Sequence, residues 1–171
     1  MLSLRFVGLV RNGQAVQPVA GHDGPMEDEQ LITVLTDEES RELLRATKFG
    51  RLAFAVNGRV EIYPLNIVFS EDDGELVFKS APGFKLAGAS IAKEVVFQAD
   101  AVGDGFATSL VARGVARVLS TEAELERAEQ LDVRPLIATP KNEYVAITVA
   151  EVTGRRYITG DEPEPLIDTV A

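Results

Sequence analysis

Between Phe78 and Lys85 the chain reads Phe78-Lys79-Ser80-Ala81-Pro82-Gly83-Phe84-Lys85, and residue types at this spacing suit the holding of an anion. A helix opening at Pro82-Gly83 would offer unpaired N–H groups and a partial positive charge. Gly83 would let the backbone approach a ligand closely, Ser80 can donate, and Lys79 and Lys85 supply charge. The bland alternative for the same residues is a surface turn flanked by two lysines, and physics alone leaves both open. Upstream, Tyr63-Pro64-Leu65-Asn66-Ile67 puts a proline inside an apolar alternating run. Proline cannot donate a ladder hydrogen bond, so that strand must be an edge, be bulged, or face something other than a strand, and a ligand could take that place.

Most other chemistry is excluded by what the chain lacks. There is no cysteine among the 171 residues, which removes disulfides, thiolate nucleophiles, thiolate zinc sites and iron–sulfur clusters. The one histidine, His22, lies in Ala20-Gly21-His22-Asp23-Gly24-Pro25, a stretch without apolar periodicity, and a serine–histidine–aspartate hydrolase or a histidine metal site would rest on it alone. Glu38 with Glu39, Asp72 with Asp73, and Glu122 with Glu126 could be paired carboxylates, yet each fits a helix cap, a turn or a solvated helix face. Tyr63 and Tyr144 read as core or rim residues, no side chain is expected to be catalytic, and no metal is expected. With 17 basic against 27 acidic residues the formal charge is −10, so a phosphate backbone or an anionic membrane is repelled on average, and neither is expected as a partner. Salt screens that charge beyond about 10 Å, so two local lysines can still bind a small anion.

The elements that would position these residues follow from period and punctuation. Thr36-Asp37-Glu38-Glu39 is a capping box, and Leu43, Leu44 and Phe49 follow at helical spacing, predicting a helix over 37–47. The period then changes to two. Leu52 to Val56 meets Asn57-Gly58, a type I′ hairpin signal, and the partner strand runs over 60–69. Asp72-Asp73-Gly74 turns into a strand over 75–80, and a short helix is expected from Gly83 to about Ala92. Strands over 95–100 and 106–119 flank Gly103-Asp104-Gly105. Thr121 and Glu124 cap a helix over 122–130, and the chain returns from Tyr144 to Ile158. Residues 1–30 read as a leader, an edge strand or unstructured, with Met26 an alternative start; residues 11–30 hold three Gly, two Pro and four acidic residues. The domain proper is placed at 31–158, followed by an acidic tail over 159–171. No run of 18 apolar residues suggests a membrane span. Hairpin-joined strands without βαβ alternation predict a mainly β fold, an antiparallel six-stranded split β-barrel with short peripheral helices. A Rossmann domain is disfavoured, because Gly103-Asp104-Gly105 sits between two strands.

The ordered set Phe49-Gly50-Arg51-Leu52-Ala53-Phe54, Asn57-Gly58-Arg59, Tyr63-Pro64-Leu65-Asn66-Ile67 and Phe78 through Leu86 resembles the flavin-binding split-barrel proteins related to pyridoxamine 5′-phosphate oxidase, over roughly residues 35 to 158. The resemblance implies a cytoplasmic homodimer with FMN at the interface, and a small-molecule substrate that the sequence leaves unknown. Pro64, Leu65 and Asn66 would lie along the isoalloxazine ring, Lys79 and Ser80 would face the ribityl chain and phosphate, and Lys85 would bind the phosphate. Thr108 and Ser109 would come from the other subunit. The implied activity is hydride or electron transfer at flavin N5; the alternative is a non-catalytic carrier or sensor.

Two departures from that pattern count. Members of the branch it resembles commonly carry Gly-Trp-Ser where this chain has Ala107-Thr108-Ser109, and loss of one stacking face would cost about 1 kcal/mol or more of cofactor affinity. The Arg-x-His pair with which true oxidases of the vitamin hold substrate is missing; Arg155 and Arg156 stand near its place, as strand-end surface residues or substrate contacts. Oxidation of pyridoxamine 5′-phosphate is therefore disfavoured, and the deazaflavin F420 or haem remain alternative cofactors.

Overall fold

In the computed structural model the described residues are 31–81, 83, 92, 94–134 and 142–160. They form eight strands and two longer helices: β1 (Ile32–Val34), α1 (Asp37–Ala46), β2 (Phe49–Val56), β3 (Arg59–Asn66), β4 (Val68–Ser70), β5 (Glu75–Ser80), β6 (Val95–Gly103), β7 (Phe106–Val118), α2 (Glu122–Gln130) and β8 (Glu143–Ile158). Both helices start on capping boxes. The Glu39 carboxylate accepts from the Thr36 N–H at 2.9 Å, and the Thr36 hydroxyl accepts from the Glu39 N–H at 3.3 Å; Thr121 and Glu124 repeat the arrangement. Asn57 and Gly58 take φ of 50° and 74°, as a type I′ turn requires.

The strands pair antiparallel in the order β3-β2-β6-β7-β8-β5-β4, with β1 added to the end of β8. The two ends of this path, β3 and β4, are consecutive in the chain with Ile67 between them, so the sheet curls round a core without closing its ladder. This is the mainly β split barrel that the hairpin pattern predicts, with eight strands in place of six. The expected strand over 60–69 is divided into β3 and β4 at the buried Ile67, where the chain changes partner: its N–H still bonds the Lys48 carbonyl at 3.0 Å at the end of the β2 ladder, and Val68 begins the pairing with β5. Ile32–Val34 is the other addition, too short to stand out by period. The expected leader over 1–30 with His22, the helix expected after Gly83 with Lys85 on it, and residues 161–171 of the tail lie outside the described residues.

Alternation along the strands divides two cores. Leu52, Phe54, Leu76, Phe78, Phe97, Leu110, Val145 and Ile147 fill the barrel interior. On the other face of β5 and β8, Val77, Tyr144 and Ala146 pack with Leu119, Ala128 and Val133 beneath α2. In β8 the pairing steps from Arg113↔Glu151 to Gly114↔Val149, leaving Ala150 as an unpaired bulge that shifts the phase of the strand. A Cβ at Gly114 would collide with the Thr148 carbonyl oxygen, so only glycine fits that close approach.

Candidate functional site

Strand β3 pairs with β2 on one side, Arg51 opposite Pro64, Gly50 opposite Leu65 and Phe49 opposite Asn66, and among the described residues no strand lies on its other side. Pro64 therefore sits on an edge, where its missing N–H breaks no ladder. The Leu65 side chain is buried in the barrel core, and the alternation that leaves Pro64 facing the free edge turns the Leu65 main chain toward Gly50 on β2. Tyr63 stacks on Phe54 with ring centroids 5.8 Å apart. Burial first, then the neighbouring Glu61 carboxylate, pushes its phenol above the ordinary value, away from proton transfer near neutral pH.

Asn66 at the end of β3 donates through Nδ2 to the main-chain carbonyl of Arg134 at 2.7 Å. That bond brings in residues which sequence reading missed. The Arg134 guanidinium donates to Asp132 at 2.9 Å, and with help from Lys79 it holds the Asp132 carboxyl below its ordinary value. Lys79 lies with its ammonium 4.7 Å from the centre of the Tyr144 ring, its register partner on β8. Ser80 is buried and donates to the Ala81 carbonyl at 3.1 Å. As neighbours on a strand, Lys79 and Ser80 point to opposite faces, so one ligand meets both only at the end of β5.

Thr108 and Ser109 lie on β7, three ladder steps from β3, about 14 Å measured across the strands of the sheet. There the structure joins residues the sequence kept apart: Thr108 is the register partner of Arg156, and Ser109 of Arg155, on β8. Both arginines are exposed, and among the described residues neither has an ion-pair partner. No sequence signal gives this pairing, since α2 and the Ala150 bulge intervene. A groove of about 630 Å³ opens elsewhere, at the turn end of β2 and β3, lined by Ala53, Ala55, Asn57, Val60, Glu94 and Val96. None of the expected site residues lines it, and Glu94 is engaged by Arg113 at 3.4 Å.

An antiparallel sheet of eight strands that curls round one core without closing is the architecture of a split-barrel protein. Residues 36–156 match the family described as pyridoxamine 5′-phosphate oxidase, and the chain belongs to that family. A Corynebacterium glutamicum structure named provisionally as a pyridoxamine 5′-phosphate oxidase is 31% identical, with a TM-score of 0.70 over 80% of this chain and 99% of that one. An FAD-binding protein from Mycobacterium smegmatis is 34% identical, with a TM-score of 0.65 over 75% of this chain and all of that one. An uncharacterized Mycobacterium tuberculosis protein is 34% identical over 89 residues, 52% of this chain and 81% of its own. Among the described residues no helix is long and apolar enough to cross a membrane.

Proposed function

We propose that this chain binds a flavin nucleotide along the free edge of β3 and serves as a small-molecule oxidoreductase. The observation that carries the reading is that edge. Among the described residues its outward main-chain groups have no strand to receive them, Pro64 removes one donor, and a planar ring with a polar rim can take that side. Pro64, Leu65 and Asn66 would hold the ring, while Lys79, Ser80 and Lys85 would take the ribityl chain and phosphate. This FMN moiety is common to FMN, which the family resemblance implies, and to FAD, which the M. smegmatis protein binds. Thr108 and Ser109, three ladder steps away in the sheet, would reach the site from a second copy. Exposed Val60 and Ile62 on β3 support such pairing, since 70% and 60% of their surface meets water in the single chain.

A bound flavin supplies hydride or electron exchange at N5, and the protein's part is to orient the ring and exclude water rather than to provide a strong base. A carrier or sensor without turnover is favoured only by Thr108 standing where relatives place tryptophan. For haem, the chain's histidine and both methionines lie in residues 1–30 and it has no cysteine, so from residue 31 onward an axial ligand would have to be a tyrosine or a lysine.

Absorption and mass analysis of the protein as isolated, followed by titration with FMN and FAD, tests the reading. Flavin bands, a mass that identifies FMN, FAD or F420, and weaker binding after Lys79→Ala or Lys85→Ala are expected. Sedimentation should give twice 18.5 kDa. A colourless protein that binds neither flavin overturns it, and bound flavin that NAD(P)H and other donors never reduce favours the carrier.

A further inference from the structure

Asn66 is tied to a segment 68 residues further along the chain through its Nδ2 donation to the Arg134 carbonyl. A carbonyl only accepts, so this bond fixes which end of the amide is nitrogen, and it leaves Oδ1 without a donor among the described residues. The Arg134 carbonyl is itself held in place. Val133, 4% exposed, plugs the small core of Val77, Leu119, Ala128, Tyr144 and Ala146. Asp132 adopts a left-handed φ of 49°, with its carboxylate bonded to the Arg134 guanidinium. Upstream, α2 is fastened to the barrel by Arg117, which bonds both Glu124 and Glu75, and by Arg127 at 3.8 Å from Asp73.

We propose that α2 and the turn that follows it form a positioning arm, which holds Asn66 so that its free Oδ1 recognises an N–H donor on the ligand. Asn66 is the ligand contact, and Val133 and Asp132 are positioning residues. In a flavin, the ring N–H on the polar edge is the imide N3–H, so the arm would select ligands that keep it. This rests on the flavin reading above.

The test compares binding of FMN and of N3-methyl-FMN, which lacks that donor, to the full chain freed of ligand. The unaltered protein is expected to prefer FMN by roughly fivefold or more, the worth of one ordinary hydrogen bond. Asn66→Ala should bring the two affinities together. Val133→Ala should lower the preference while the protein stays folded by circular dichroism; if it does not fold, Asp132→Gly tolerates the left-handed backbone, removes only the ion pair, and should lower the preference in the same way. Equal affinities in the unaltered protein, or a full preference retained in Asn66→Ala or in a folded arm variant, overturn the proposal and leave the flavin reading standing. If FAD binds and FMN does not, the same comparison is made with FAD and N3-methyl-FAD; failure of the unaltered protein to bind either flavin overturns both.

Discussion

Replacing Arg117 by methionine tests what fastens α2 to the barrel. Arg117 on β7 donates from Nη2 to both oxygens of Glu75, at 3.1 and 3.2 Å, and from Nη1 to Glu124, the residue that closes the capping box of α2. The Glu75 side chain is only 11% exposed and also accepts from the Thr148 hydroxyl at 2.9 Å. Arg117→Met keeps the stem and removes the charge, which strands Glu75 where water barely reaches it. Breaking a fully buried pair costs about 3–5 kcal/mol, and an exposed pair contributes about 1 kcal/mol or less. Arg117 is 42% exposed, so solvent takes over part of its role, and we expect a loss of about 1–2 kcal/mol. For a domain of this size that is a fall in Tm of roughly 2–8 °C. Urea unfolding of Arg117→Met, Glu75→Gln and the double variant closes a cycle. If the cost comes from the stranded carboxylate, the double variant is more stable than the sum of the singles predicts, by about 1 kcal/mol. An Arg117→Met midpoint indistinguishable from the unaltered protein, or strict additivity, refutes the reasoning.

Glu124 gives a pH dependence of known sign. The Thr121 N–H, then the Ser120 N–H, the Thr121 hydroxyl and Arg117 lower its carboxyl from 4.5 to about 2, so its contribution is complete above 4.5 and is lost as pH falls toward 2. Urea midpoints measured over that range should fall less steeply for Glu124→Gln than for the unaltered protein. Ser40 on α1 is 1% exposed, and its hydroxyl has no partner among the described residues, so Ser40→Ala should leave the thermal midpoint unchanged or raise it. Gly114→Ala places a methyl against the Thr148 carbonyl oxygen and 3.0 Å from Ile147 Cγ2; a loss of about 1–3 kcal/mol or more in urea unfolding is expected, and an unchanged midpoint would show that the bulge yields.

Local chemistry made much of the fold legible. Thr36 with Glu39 and Thr121 with Glu124 marked both helix starts because a capping box is complete within four residues, and Asn57-Gly58 marked its hairpin because few other pairs accept two positive φ values. What escaped was non-local. The break at Ile67 is a change of partner, from β2 beside Asn66 to β5 beside Val68, and apolar alternation runs straight through it. The bulge at Ala150 leaves no composition signal, yet it sets which residues of β8 face β7 in register beyond it.

The site divides along the same line. Pro64 could be read as an edge residue because the reason is covalent: a missing N–H is visible in sequence. The grouping of Lys79 with Ser80 came from adjacency, and adjacency on a strand sends two side chains to opposite faces, toward Tyr144 in one case and into the barrel in the other. The residues that do share a neighbourhood, Asn66 with Arg134 and Thr108 with Arg156, are joined by tertiary pairing over tens of residues. In an antiparallel barrel the side chains that meet a ligand are selected by strand order and phase, so a run of promising residues marks where a site begins and the ladder decides which of them reach it.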